Sequence, residues 1–235
     1  MFKARTQRRT VTVSFSGIDG AGKSTQIAGL RSRLIEAGFH VEVMTFWEHV
    51  ALFTRARESA GHTLFKGDKG VGTPLKPILR RDKNVRSLPM AAIRLVLYAL
   101  DAVSAWIVLK RAQHAQADVL ILDRWTYDEL ANLNLDRWMN RAYVQVISRL
   151  VPRPDISFVL DAEPNEARAR KPEYPIEFLV ANRASYLRLS TLIPLLTVLL
   201  PGSLDETERT VADRVMSAMV TESGDVRVTA MDLHA

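Results

Sequence analysis

Short apolar runs alternate with stretches of helical period along most of this chain. Thr10-Val11-Thr12-Val13-Ser14-Phe15 alternates and is rich in β-branched residues, which predicts a first strand. After a glycine-rich turn, Ser24 to Ala37 carries Ile27, Leu30, Leu34 and Ile35 at helical spacing, with Gly38 placed to cap its C-terminus. Val41 to Phe46 predicts a second strand and completes a βαβ unit with parallel strands. Met90 to Ala115 predicts a long helix with Ile93, Leu97, Leu100, Ile107 and Val108 largely on one side. Val119 to Leu122 and Ile156 to Leu160 are continuously apolar, as strands buried on both faces of a parallel sheet must be, and Leu196 to Leu200 predicts a fifth strand. Asp205 to Met219, striped with Val211, Val215 and Met219, predicts a closing helix, followed by a weakly structured tail over 220–235. The order predicts one three-layer α/β/α domain on a five-stranded parallel sheet, with its core over about residues 10–219.

Composition narrows the chemistry. A chain of 235 residues, 47% hydrophobic, fits one such domain with a real core. It has no cysteine, which excludes disulfides, thiolate–zinc sites and cysteine nucleophiles. Its five histidines, at positions 40, 49, 62, 114 and 234, show no metal-ligand spacing. The basic N-terminus runs into the first strand without an apolar signal core, and the longest apolar stretch, Leu192 to Leu200, is too short to span a bilayer and contains Pro194. A cytoplasmic protein without membrane partners is the expectation. The formal charge of +6 fits either a solvated basic surface or the binding of phosphates. Neither an aromatic-interleaved basic stripe nor a helix-turn-helix pattern supports nucleic acid as a partner. The segment 61–89 mixes glycine and proline with Lys66, Lys69, Lys76, Arg80, Arg81, Lys83 and Arg86. It reads as a long basic loop, either solvated and disordered or in contact with an acceptor larger than a nucleotide.

The turn after the first strand carries the strongest chemical signal. Gly17-Ile18-Asp19-Gly20-Ala21-Gly22-Lys23-Ser24 has the spacing G-x-x-x-x-G-K-[ST], set between a strand and a helix. Glycines at 17, 20 and 22 let backbone N–H groups turn inward on phosphate oxygens, and the helix N-terminus favours an anion. Residues 17 and 19–25 are therefore expected to bind ATP, namely Gly17, Asp19, Gly20, Ala21, Gly22, Lys23, Ser24 and Thr25. Lys23 can reach the β- and γ-phosphates, and Ser24 can ligate Mg²⁺. Asp123 ends an apolar strand at the edge where ligands sit in open α/β sheets, and is a second candidate for the metal.

With these residues in view, the chain resembles the thymidylate kinase family within the nucleoside monophosphate kinases, from Val11 to Met219. Phe15 through Gln26 looks like the family's phosphate loop, and the likeness implies that Asp19 touches the acceptor's sugar. Leu97-Tyr98-Ala99-Leu100-Asp101 is similar to the helix whose aromatic residue packs on the acceptor base, which makes Tyr98 a substrate-binding candidate and puts Asp101 near the site. Asp123-Arg124-Trp125 matches an Asp-Arg-aromatic signature in which Arg124 would grip the acceptor phosphate; a bidentate guanidinium suits that task, although a structural ion pair at a strand end is the plainer reading. Leu160 through Arg170-Lys171 looks like the start of a short lid, here about residues 163–176, and Arg183 through Leu187 resembles the helix after it. The phosphate loop has no basic residue besides Lys23, so a lid cation must neutralise the transferring group. Among Arg168, Arg170 and Lys171, Arg170 matches best. Lys23, Arg124 and Arg170 are thus the catalytic candidates. The resemblance implies ATP and Mg²⁺ as cofactors, a nucleoside monophosphate as acceptor and, by the habit of relatives, a homodimer.

Departures keep other readings open. Ala102 stands where an arginine usually follows the aspartate, Phe46-Trp47-Glu48-His49 replaces the expected Arg-Glu-Pro-Gly-Gly stretch, and the lid reaches Pro172 almost at once. These changes leave the ATP side intact and weaken thymine recognition. A P-loop kinase of a sugar or sugar phosphate, and an ATP-binding regulatory module of low turnover, are the competing readings. Trp106, Trp125 and Trp138 read as packing residues.

Overall fold

Strand β1 (Val11–Gly17) is buried along its whole length at the centre of the sheet. The computed structural model describes residues 9–49, 88–113 and 117–231. In chain order the remaining elements are α1 (Lys23–Glu36), β2 (Val41–Thr45), α2 (Phe46–His49), α3 (Leu88–Gln113), β3 (Val119–Asp123), α4 (Thr126–Leu130), α5 (Trp138–Leu150), β4 (Ile156–Leu160), α6 (Pro164–Arg170), α7 (Ile176–Leu192), β5 (Leu196–Leu199) and α8 (Leu204–Met231). Among the described residues the sheet has the order β2-β3-β1-β4-β5, and every pairing is parallel. This is the expected three-layer α/β/α architecture, and β3 and β4 are mostly apolar because helices cover both faces of the parallel sheet.

The register fixes where the chemistry can sit. Phe15 pairs with Asp123 on β3, and Gly17 pairs with Leu160 on β4. The C-terminal ends of β1, β3 and β4 therefore lie side by side, and the loops that leave them share one crevice. Beneath that edge Phe15 and Phe158 pack with ring centroids 5.4 Å apart, and buried Trp125 meets Phe46 edge-on at 6.3 Å.

Several expectations need correction. Phe46 leaves the second strand and opens α2, with its ring in the core. On α1, Ile35 is 45% exposed whereas Gln26 and Lys23 are buried, because the helix begins at the phosphate loop and turns that polar end inward. On α3 the buried side is Tyr98, Asp101, Ala102, Ala105 and Leu109, while Leu100 and Ile107 face outward. That helix is apolar nearly all round, so periodicity could not choose a face; the small Ala102 and Ala105 mark it, since they allow close approach. Trp106 is half-exposed, its indole N–H donating to the Leu150 carbonyl at 2.7 Å, and Trp138 is 70% exposed; of the three tryptophans expected to pack, Trp125 does so fully. Helix α8 continues to Met231, through most of the stretch expected as a weakly structured tail. The basic segment 61–89 lies outside the described residues, except that Leu88 and Pro89 open α3. Among the described residues no helix is long and apolar enough to cross a membrane.

Candidate active site

The turn between β1 and α1 is held by its glycines. Gly20 has φ 84°, and a Cβ there would run into the Ala167 carbonyl on α6. At Gly17, φ is 139° and an added Cβ would stand 2.5 Å from the Leu160 carbonyl. The loop is thus clamped between β4 and α6, and side-chain-free positions are what allow it. Ser24 and Thr25 are exposed in the first turn of α1. Lys23 is 7% exposed, and its ammonium donates to the Gly17 and Ile18 carbonyls at 2.9 Å each. Burial, then the neighbouring Arg124 charge, lowers its pKa from the ordinary 10.5 to about 8; Asp19, Asp128 and Asp123 pull the other way.

Arg124 follows β3 with φ 69°, a left-handed backbone that is uncommon for a bulky residue and of order 1 kcal/mol unfavourable. Its N–H donates to the Phe15 carbonyl at 3.0 Å, which ties it to β1. The guanidinium reaches two carboxylates, with Nη2 2.5 Å from Asp19 Oδ1 in the phosphate loop and Nη1 3.1 Å from Asp128 Oδ1 on α4. Burial works against its charge, but Asp128 and then Asp19 more than offset that, so the arginine pKa is raised. The ion pair anticipated at the strand end exists, and it points into the loop that would hold phosphates.

Asp123 is half-buried at the end of β3, level with Phe15 and Thr45. Arg170 ends α6 with its guanidinium half-exposed, 3.9 Å from where a Cβ on Gly22 would stand, and it contacts Glu166 on its own helix at 3.5 Å. Arg170 is therefore close to the loop. Tyr98 and Asp101 are buried on the core side of α3.

Sequence reasoning missed what stands behind these residues. Arg183 on α7 grips Asp161 through two hydrogen bonds, 2.6 and 2.8 Å, and Glu163 through a third at 2.7 Å, which fixes the chain immediately before α6. It also missed the buried Asp128, which binds Arg124 from below. A signal for it existed: Asp128 lies four residues after Arg124, the spacing of a helical ion pair.

The strand order, the clamped glycine turn and the lysine at the head of α1 define the P-loop kinase class of α/β protein. No protein-family model matches the chain. It is 26% identical over 181 residues to a probable thymidylate kinase of Methanosphaera stadtmanae, a match covering 75% of this chain and 82% of the relative. It is 33% identical over 162 residues to a thymidylate kinase of Prosthecochloris aestuarii, covering 68% and 63% respectively, and 31% identical over 162 residues to that of Chlorobaculum parvum, covering 68% and 64%. The chain thus spans less than two thirds of the length of the latter two. The crystal structure of thymidylate kinase from Ehrlichia chaffeensis superposes with a TM-score of 0.52 at 19% identity over 88% of this chain and 99% of that one, a likeness of fold. The chain is a divergent thymidylate kinase-like protein.

Proposed function

We propose that the protein is an ATP- and Mg²⁺-dependent nucleoside monophosphate kinase. The observation that carries this reading is the apposition of Lys23 and Arg124: a buried ammonium rests on the phosphate loop, and a guanidinium from the next strand reaches that loop through Asp19. On this reading Lys23 serves the donor phosphates and Arg124 an acceptor phosphate, with Arg170 near the loop at Gly22. The thymidylate kinases among the relatives support a nucleotide acceptor.

The residues present fit the magnesium requirement. Ser24 and Asp123 offer hydroxyl and carboxylate oxygens, hard donors suited to Mg²⁺, while among the described residues no group of three or more His, Cys, Asp or Glu side chains could hold a metal alone. Phosphate oxygens and water would complete the shell. When bound, Mg²⁺ would supply positive charge against the donor phosphates. Residues of the chain do the rest. Lys23 exchanges the Gly17 and Ile18 carbonyls for phosphate oxygens, and Arg124 holds the acceptor phosphate in line. An oxygen of that phosphate attacks the γ-phosphorus, and the bond from that phosphorus to the β–γ bridging oxygen breaks, leaving ADP. Arg170 neutralises charge on the group in flight. Because the acceptor oxygen is already anionic, no strong general base is needed.

A panel of nucleoside monophosphates and sugar phosphates assayed with ATP and Mg²⁺ tests this. Turnover of at least one nucleoside monophosphate, abolished by Lys23→Ala, is expected. Turnover of sugar phosphates alone, or of none, would refute it.

A further inference from the structure

Asp128 is the most heavily satisfied buried group near the site. It is 3% exposed. Its Oδ2 accepts hydrogen bonds from Ser16 Oγ at 2.6 Å and the Trp125 backbone N–H at 3.1 Å, and its Oδ1 accepts from Arg124 Nη1 at 3.1 Å and Tyr186 Oη at 2.7 Å. Four donors saturate the acceptor capacity of a carboxylate. These donors come from separate parts of the fold: β1 one residue before the phosphate loop, the β3–α4 turn, and α7 beyond the lid. Tyr186 stands on the same helix as Arg183, which braces the approach to the lid helix.

Arg124 faces two carboxylates, and this creates an electrostatic problem for a kinase. Two negative charges on one guanidinium repel an incoming phosphate, so one must yield. Asp128 is the poorer candidate to leave, because any shift would break several buried hydrogen bonds. Asp19, 9% exposed, sits in a loop turned by glycines rather than on a helix.

We propose that Asp128 is the fixed anchor of Arg124, a positioning residue pinned by Ser16 and Tyr186 that aims the guanidinium at the phosphate loop while Asp19 gives way to the acceptor phosphate. The proposal rests on reading Arg124 as the acceptor-phosphate arm. Asp128 touches no substrate; it acts through Arg124. The acceptor exchanges one partner of the arginine and leaves the other in place.

The test is a double-mutant cycle with the nucleoside monophosphate turned over fastest in the panel. Arg124→Ala raises its KM. Asp128→Asn, isosteric but uncharged, raises the acceptor KM roughly tenfold to a hundredfold, the range for a hydrogen bond to a charged group, with the ATP KM within about twofold of the starting value. In the Arg124→Ala background the same substitution changes the acceptor KM less than about twofold, because the residue it positions is gone. If Asp128→Asn does not fold, Tyr186→Phe removes one of the pinning donors and keeps the ring; it raises the acceptor KM about threefold to tenfold with Arg124 present and leaves it unchanged without. An acceptor effect that multiplies independently of Arg124, or equal loss for ATP and acceptor, overturns the anchor role alone. Unchanged acceptor KM in Arg124→Ala, or no monophosphate turned over, overturns the underlying reading and the anchor with it.

Discussion

Binding of a triphosphate should make Lys23 take up a proton. In the empty protein burial and Arg124 lower its pKa from 10.5 to about 8. That gap corresponds to roughly 3 kcal/mol, at about 1.4 kcal/mol per factor of ten. The sign follows from proton counts. Below about pH 8 the lysine is protonated in both folded and unfolded chains, and the folded state carries the whole penalty of a buried charge. Between about pH 8 and 10.5 the unfolded chain binds more protons, so stability rises with pH until the penalty is relieved. A triphosphate in the loop reverses the balance, because its negative charge favours the ammonium and returns the pKa to its ordinary range or above. At about pH 8.5 some three quarters of the empty protein has a neutral Lys23. Binding should then absorb about 0.7 proton per site. Calorimetric titration with ATP and Mg²⁺ in two buffers of different ionisation enthalpy measures this directly, and the uptake should fall towards zero near pH 6.5, where the lysine is already charged. Lys23→Met should remove it. Uptake below about 0.2 proton in the unsubstituted protein at the higher pH, or the same uptake in the Lys23→Met variant, would refute the account.

Two further perturbations probe the clamp around the loop. Gly20→Ala combines a left-handed backbone with a collision against the Ala167 carbonyl, so a loss of about 2–4 kcal/mol in urea unfolding is expected, with weakened ATP binding; a change under about 1 kcal/mol would contradict the close approach. Arg183→Gln leaves Asp161, whose side chain is 5% exposed, without its two guanidinium bonds, and should reduce stability by about 1–3 kcal/mol and speed proteolysis around residues 164–170; unchanged unfolding midpoints would show that the bridge is inert.

Much of the fold was legible because strong local signals agreed with the global arrangement. The four-residue apolar run ending in Asp123 and the glycine turn into α1 left little choice of topology once a parallel sheet was assumed. What was not legible depended on tertiary contact. Helix α3 is apolar on nearly every side, so the buried face could be read only from what packs on it. The short α4 spans too few residues to show a helical period, and the amphipathic α5 turns its large apolar Trp138 and Leu150 outward, against the pattern of a core-facing stripe. In the site, the candidates came from contiguous motifs, whereas Arg183 and Tyr186 act through contacts that span 20 to 58 positions and leave no local pattern.

Strand β1 shows why the polar scaffold in particular escaped the sequence. Its alternation of hydroxyl and apolar residues predicts one face in water. Instead Thr12, Ser14 and Ser16 are 3%, 0% and 0% exposed. The hydroxyls of Thr12, Ser14 and Ser16 meet Asp155 at 2.7 Å, Ser157 at 3.0 Å and Asp128 at 2.6 Å. A buried hydroxyl is tolerated because each finds a partner, and a small side chain allows helices to approach the central strand. Apolar replacements at Ser14 could keep the packing, since its partner is another hydroxyl. The same replacement at Ser16 would take a donor from the carboxylate that holds Arg124. The alternation that looks like a solvated face is therefore graded: structural at the buried start of β1, and directed through Asp128 at Arg124 where the strand enters the loop.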